Sequence, residues 1–353
     1  MANDLENDLL QQVERAIAEK TPLNIVGGGS KSFLGNSPAG DTLSTSELTG
    51  IVDYEPSELV VTVKAGTPVV ELQHALAQNN QMLGFEPPVF SDRSTIGGAV
   101  ASGLAGSGRP YRGGVRDFVL GVKILTGKGE ILKFGGQVMK NVAGFDVSRL
   151  MAGAMGTLGV LLEVSLRVVP VAETEVTLEY GHSNVSESIN WLGNLLRQPL
   201  PVTAACWYQG KTRIRISGSK LGVDHAVQQL NGDISNDSEF WSEINHHKHP
   251  FFDSPELLRI STDCSDSVAL SSDDHLLVDW GGAQRWLTDT SQTTEIREAV
   301  AKQGGHATVF RSHNASLERY TRLPEPLMLL QKNLKNAFDP HHILNRGRLY
   351  PGI

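Results

Sequence analysis

At 353 residues, with 40% apolar and 20% charged side chains, the chain is long enough for two domains with separate cores and has the balance of a soluble globular protein. A net charge of −8 excludes a general nucleic-acid surface, because nonspecific phosphate binding is electrostatic and needs a basic face. Cys206 and Cys264 are too few and too far apart for a zinc site, an iron–sulfur site or a disulfide framework, which fits a reducing cytoplasm.

The start, Met1-Ala2-Asn3-Asp4-Leu5-Glu6, is acidic where an export signal would be basic and then apolar. Leu5, Leu9, Val13 and Ile17 recur every four residues and predict an opening helix ending near Lys20. Leu23-Asn24-Ile25-Val26 predicts a strand that runs into the turn Gly27-Gly28-Gly29-Ser30-Lys31-Ser32. Residues 51–54 and 59–63 read as strands around Glu55-Pro56-Ser57-Glu58. Thr67-Pro68 announces a helix, with threonine as cap, proline in the first turn and Val69, Leu72, Ala75 and Leu76 as its buried stripe.

After the extended Phe85-Glu86-Pro87-Pro88, residues 95–102 read as a short helix of small residues whose N-terminal N–H groups and dipole suit an anion. Residues 118–125 and 130–134 are strands joined by the turn Thr126-Gly127-Lys128-Gly129. The apolar windows near 118–125 and 160–169 are interrupted by Lys123, Glu163 and Arg167 and fall short of a membrane span of ~20 residues, so membrane contact is expected only through a partner. Beyond Pro170, strand-like runs at 175–180, 212–217, 276–280 and 307–310 alternate with helix-like runs at 186–196, 224–230 and 293–302, which predicts a second α+β domain. Residues 327–338 are helical, stopped by Asp339-Pro340 ahead of Asn345-Arg346-Gly347-Arg348.

The glycine-studded stretch from 95 to 170 reads as the wall of a large phosphate-bearing cofactor site, since glycines let a backbone approach a ligand and expose its amides. The first glycine cluster is neither a nucleoside-triphosphatase phosphate loop, because Ser30 precedes Lys31-Ser32, nor the G-x-G-x-x-G dinucleotide pattern, because Ser32 stands at the third glycine. Alone it would be a tight strand-to-loop turn.

Taken in order, that loop, Thr95-Ile96-Gly97-Gly98, Arg116-Asp117-Phe118-Val119-Leu120-Gly121-Val122 and Gly156-Thr157-Leu158-Gly159 resemble the FAD-binding domain of the vanillyl-alcohol oxidase superfamily over residues 23–170. The resemblance implies an α+β fold: a PCMH-type FAD-binding domain of two α/β subdomains over 1–171, a smaller α+β cap or partner domain over 172–320, and a tail over 321–353 that returns to the FAD domain. It implies that Gly27, Gly28, Gly29, Ser30, Lys31 and Ser32 wrap the FAD pyrophosphate, with Lys31 as a helping cation. Thr95, Ile96, Gly97, Gly98, Ser102, Gly103, Ser107, Gly108, Gly156, Thr157, Gly159 and Val160 are then cofactor-binding along the rest of the molecule. Relatives that attach FAD covalently use a histidine in the first loop; none stands here, so the FAD is expected to be noncovalent.

Residues 109–117, residues 134–146 and Gly304-Gly305-His306-Ala307-Thr308, with Phe338-Asp339-Pro340, are similar to the FAD-binding subunits of bacterial glycolate oxidases, also called glycolate dehydrogenases. That resemblance implies a subunit of a complex that oxidises glycolate, and D-lactate, to the 2-oxo acid. Its partners would be a larger FAD-containing catalytic subunit and an iron–sulfur subunit at the cytoplasmic face of the inner membrane, with quinone as acceptor. The Glu-His-Gly motif of the larger relatives is missing, so no catalytic residue is assigned, and a free-standing dehydrogenase or a noncatalytic FAD-binding assembly subunit stays open. An arginine also stands in the 345–348 turn where relatives often have proline, which is expected to loosen it.

His246-His247-Lys248-His249 reads as a solvated or interface segment rather than a metal site, because adjacent side chains do not share a face. His306 and Arg311 are the candidates for proton transfer and carboxylate binding, set against an ordinary satisfied histidine and a surface or interface cation. Trp191, Trp207, Trp241, Trp280 and Trp286 have no regular spacing and are expected to pack in the core.

Overall fold

The computed structural model describes residues 2–136, 146–263, 275–314 and 316–353; motif residues 137–145 and Cys264 lie outside them. The chain divides into two compact units, Met1–Leu104, Gly114–Pro170 and Arg322–Ile353 in the first, Ala105–Gly113 and Val171–Thr321 in the second.

In the first unit the opening helix, Ala2–Glu19, buries Leu9, Val13 and Ala16 against Leu23, Leu43, Val160, Leu162 and Leu344. Strand Leu23–Val26 pairs in parallel with Asp41–Ser44. The chain terminus returns beside it: Leu23 N–H donates to the Ile343 carbonyl at 2.6 Å and Asn345 N–H to the Leu23 carbonyl at 2.9 Å. A five-stranded antiparallel sheet runs in the order Ile51–Glu55, Val60–Lys64, Val160–Arg167, Val119–Leu125, Ile131–Gly135. Its register sets Lys64 and Lys123 opposite Glu163, and Glu6 from the opening helix binds Lys64 at 2.8 Å and Lys123 at 2.6 Å. The charges that interrupt the apolar strands in the sequence therefore neutralise one another under the helix, and Arg167 lies 4.8 Å over the Phe118 ring.

The second helix, Val69–Ala77, starts after Pro68, and Thr67 does not cap it. The Thr67 hydroxyl is buried and bonds Gly50 instead, accepting from its N–H at 3.0 Å and donating to its carbonyl at 3.2 Å.

The second unit is built on an eight-stranded antiparallel sheet ordered Asp233–Ile234, Thr174–Gly181, Lys211–Gly218, Val202–Tyr208, Leu276–Asp279, Gln284–Leu287, Leu257–Ser261, His306–Arg311. Helices Val185–Leu195 and Lys220–Leu230 pack on one part of it through Leu192, Leu195, Val223 and Ala226, and Thr293–Ala301 packs on the other through Ile296 and Val300. Sequence patterning passes over Val202–Tyr208, Leu257–Ser261 and Gln284–Leu287 because all four residues of the last, Gln284-Arg285-Trp286-Leu287, are buried and the first is buried on both faces, so neither alternates. Trp207, Trp241, Trp280 and Trp286 are buried in this unit. Among the described residues no helix is long and apolar enough to cross a membrane.

Candidate cofactor site

The loop after strand Leu23–Val26 forms one wall of a cleft of about 150 Å³. Gly27, Gly28, Gly29, Ser30, Lys31 and Ser32 line it together with Thr95, Gly98 and Ser102. An adjoining cavity of about 80 Å³ shares Gly27 and Gly98 and adds Gly97, Gly156 and Gly159. The glycines of the loop serve a packing need first. A Cβ on Gly28 would run into the Arg93 carbonyl, one on Gly27 would lie 2.6 Å from the Thr95 hydroxyl, and Gly29 has φ of 73°. Close apposition of the loop to residues 93–95 is then tied by the Ser94 hydroxyl donating to Ser30 Oγ at 2.9 Å.

The short helix Ile96–Ser102 forms as the sequence predicts, with Thr95 as its cap, but its first turn does not offer N–H groups to a ligand. Ile96 N–H is taken by the Thr67 carbonyl at 2.9 Å, Gly97 N–H by the Ala65 carbonyl at 2.7 Å, and Gly98 N–H by the Thr95 hydroxyl at 3.1 Å. The donors lie on the glycine loop instead. Among the described residues no acceptor is found for the N–H groups of Gly28, Gly29, Ser30 and Lys31, a run of successive amides of the kind that binds phosphate oxygens. Beside them the Lys31 ammonium is buried without a hydrogen-bond partner, 5.6 Å from the centre of the Phe90 ring, and burial pushes its pKa down to about 8.

The C-terminal tail braces this loop through residues that local sequence patterns do not reveal. Arg348 lines the cleft and donates to the carbonyls of Asn36, Lys31 and Ser32 at 3.1, 3.3 and 3.2 Å. Asn345 lines both cavities, accepting from Ile25 N–H at 2.7 Å and donating to the Met155 carbonyl at 2.6 Å. A Cβ on Gly156 would meet this Asn345 amide at 2.7 Å. The 345–348 turn is closed by Arg348 N–H on the Asn345 carbonyl at 3.0 Å, with Arg346 exposed. Under the turn, fully buried Lys335 pairs with Asp339 at 2.7 Å and donates to the carbonyls of Thr157 at 2.8 Å and Leu344 at 2.7 Å. Asp339 in turn accepts from the N–H groups of Ile343 and Leu344.

Several expected cofactor residues line neither cavity. Ile96 and Val160 are core residues, Gly103 ends the short helix at φ 64°, and the Thr157 hydroxyl donates to the Ala154 carbonyl at 2.7 Å. Ser107 and Gly108 belong to the second unit, where the Ser107 hydroxyl donates to Asp279 at 2.9 Å and its N–H to Asn245 at 2.8 Å.

Within the histidine run Lys248 is exposed, but His247 and His249 pack on aromatic rings instead of standing in solvent. His247, at φ 55°, stacks on Phe252 with centroids 4.1 Å apart, meets Trp286 edge to face and lies tilted against Phe310, while His249 packs on Tyr208. Burial, with Arg259, Arg311 and His246 nearby, holds the His247 pKa down to about 3. Among the described residues no group of three or more His, Cys, Asp or Glu side chains is arranged to hold a metal. Arg311 is engaged with the carbonyls of Phe252 and Ser254 at 2.9 and 3.1 Å, so it fixes that segment. Arg259 gathers more cation character: it bonds Gln284 at 2.9 Å, lies 5.4 Å over Trp280, and has its pKa lowered to about 10 by burial and by Arg109, which Tyr320 partly offsets. Arg109 lies 4.5 Å over the same Trp280 ring, and burial, Arg259 and Arg109 lower the pKa of His306.

Residues 4–135 match the family described as the FAD binding domain. Over 348 residues, spanning 98% of both chains, the sequence is 42% identical to glycolate oxidase subunit GlcE of Escherichia coli (strain K12). The chain belongs to the family of glycolate oxidase subunit GlcE. It is an FAD-binding subunit of the oxidoreductase class with a PCMH-type fold. It is also 29% identical over 215 residues to glycolate oxidase subunit GlcD of Bacillus subtilis (strain 168), a match that spans 60% of this chain and 45% of that one. The fold is shared with a 4-ethylphenol oxidase from Gulosibacter chungangensis, at TM-score 0.71 and 14% identity over 98% of this chain and 88% of that one. The cleft fits FAD: the Lys31 ammonium, without a hydrogen-bond partner among the described residues, and the amides beside it are what a diphosphate requires.

Proposed function

We propose that the chain is the FAD-carrying subunit of a multisubunit glycolate dehydrogenase that oxidises glycolate, and D-lactate, to the 2-oxo acid. The observation that carries this reading is the likeness to the E. coli glycolate oxidase subunit along 98% of both chains. Residues 27–32 hold the FAD diphosphate, with Gly97, Gly98, Gly156 and Gly159 along the rest of the cofactor. FAD is held noncovalently, in keeping with a first loop, residues 27–32, that carries no histidine. When bound, FAD supplies an acceptor for a hydride equivalent from the substrate α-carbon.

The work of this chain's residues is binding and orientation. Lys31 and the loop amides offset the diphosphate charge, and Arg348 and Asn345 keep the loop in the shape that exposes those amides. In the second unit, Arg259 is the group suited to a carboxylate, since a guanidinium presents two parallel donors and its Trp280 and Gln284 contacts hold it in one orientation. Residues 172–320 then form the cap or partner domain. Electrons leave through an iron–sulfur subunit and a larger flavoprotein, which bring the complex to the inner membrane.

Affinity purification of the tagged chain from its native cells, followed by flavin analysis of each subunit and glycolate-dependent dye reduction, tests this. FAD released from this chain by denaturation, with glycolate turnover by the complex and a raised KM in Arg259→Leu, is expected. Recovery of the chain alone and free of flavin would sink the proposal.

A further inference from the structure

A buried ammonium without a counter-charge is costly, and among the described residues Lys31 sits in that state beside four unengaged amide donors, the N–H groups of Gly28, Gly29, Ser30 and Lys31 itself. Cation and amides call for one partner with several anionic oxygens. We propose that Lys31 clamps the FAD diphosphate in its protonated form, and that loading FAD draws a proton from solvent onto Lys31. The proposal rests on the FAD reading of the cleft and adds a proton to its binding equilibrium.

The surroundings leave Lys31 dependent on the ligand. Arg348, from the tail, donates to the Lys31 and Ser32 carbonyls, and Asp92 and Arg93 lie on the segment packed against the loop. Among the described residues no carboxylate side chain lines the cleft. Burial alone holds the amine near 8, against an ordinary 10.5, so the flavin-free chain carries a mixture of amine and ammonium at mildly alkaline pH. A diphosphate favours the ammonium by charge and by hydrogen bonding, so binding takes up a proton and weakens as pH rises through about 8. If the diphosphate restores the ordinary value, uptake is about 0.9 proton near pH 9, and FAD binds about tenfold more weakly there than at pH 7.

The test is isothermal titration of FAD into the flavin-stripped full chain at pH 7 and 9, each in two buffers of different ionisation enthalpy. The wild type is expected to take up close to one proton at pH 9 and little at pH 7. Lys31→Met is expected to bind about ten- to a hundredfold more weakly at pH 7, with no uptake and no pH dependence. Lys31→Arg, always charged, is expected to bind equally at both pH values with no uptake. Wild-type binding without proton uptake at pH 9, or a Lys31→Met profile that keeps the wild-type uptake, overturns the proposal while leaving the FAD site standing. Failure of the wild type to bind FAD at either pH overturns both.

Discussion

Replacing Lys335 with methionine keeps the bulk of the side chain and removes its charge. The ammonium is fully buried and satisfies Asp339, Thr157 and Leu344, all within 2.8 Å. Removing one partner of a buried ion pair costs ~3–5 kcal/mol, because the other charge stays behind without compensation. Here the two backbone N–H groups that Asp339 also accepts soften that loss, which sets the expected cost near ~3 kcal/mol. For a unit of this size that corresponds to a fall in Tm of about 6–12 °C. The pair also holds the Thr157 and Leu344 carbonyls, next to Gly156 and Asn345, so flavin retention is expected to fall with stability. Thermal and urea unfolding measure the first effect, and flavin released per mole of chain the second. Lys335→Met/Asp339→Asn leaves no lone charge and is expected to recover part of the loss. A single variant whose Tm stays within ~2 °C of wild type, or a double variant worse than the sum of the singles, would refute the reasoning.

Burial pushes the Glu6 carboxyl up, but hydrogen bonds and charge from Lys123 and Lys64 outweigh it and leave its pKa below the ordinary 4.5. Its contribution is present above that value and lost as pH falls below it, so the stability gap between wild type and Glu6→Gln should close in urea titrations taken from pH 7 to pH 3. His247, with a pKa of about 3 against 6.5 unfolded, binds its proton only in the unfolded state between those values. Wild-type stability should fall by about 1.4 kcal/mol per pH unit from this group as pH drops below ~6.5, and His247→Asn, which tolerates the positive φ, should show a slope shallower by that amount. Gly98 lines both cavities, and a Cβ there would meet only the Thr95 hydroxyl, whereas one on Gly28 meets the Arg93 backbone. Gly98→Val is therefore expected to lose flavin while keeping its Tm, and Gly28→Val to lose both; equal flavin content in Gly98→Val and wild type would show that the cofactor lies elsewhere.

Much of the scaffold was legible before any coordinates. The opening helix, strand Leu23–Val26 and the hairpin near Thr126 follow from local periodicity and turn chemistry, and the glycine motifs in their order point to an FAD domain. Thr67 shows where such reasoning stops. Its cap signal is sound locally, yet the hydroxyl is drawn to Gly50, because in the fold a buried polar group bonds whatever lies nearest. His247 shows the same limit: helix-surface logic treats adjacent side chains as divergent, but a positive φ at His247 turns its ring into the aromatic cluster.

The sequence by itself determined the opening helix, the strand Leu23–Val26, the strands on either side of residues 55–58 and the hairpin about Thr126, because those properties depend on neighbours a few residues away. Tertiary structure decided which amides are left for a ligand. It engaged the first turn of Ile96–Ser102 with Thr67 and Ala65, left Gly28 to Lys31 open, and brought Asn345 to Ile25 across 320 positions to hold that loop in place. Hydrogen-bond satisfaction is settled only when the whole chain is folded, since the competing acceptor for any one amide can come from anywhere along it.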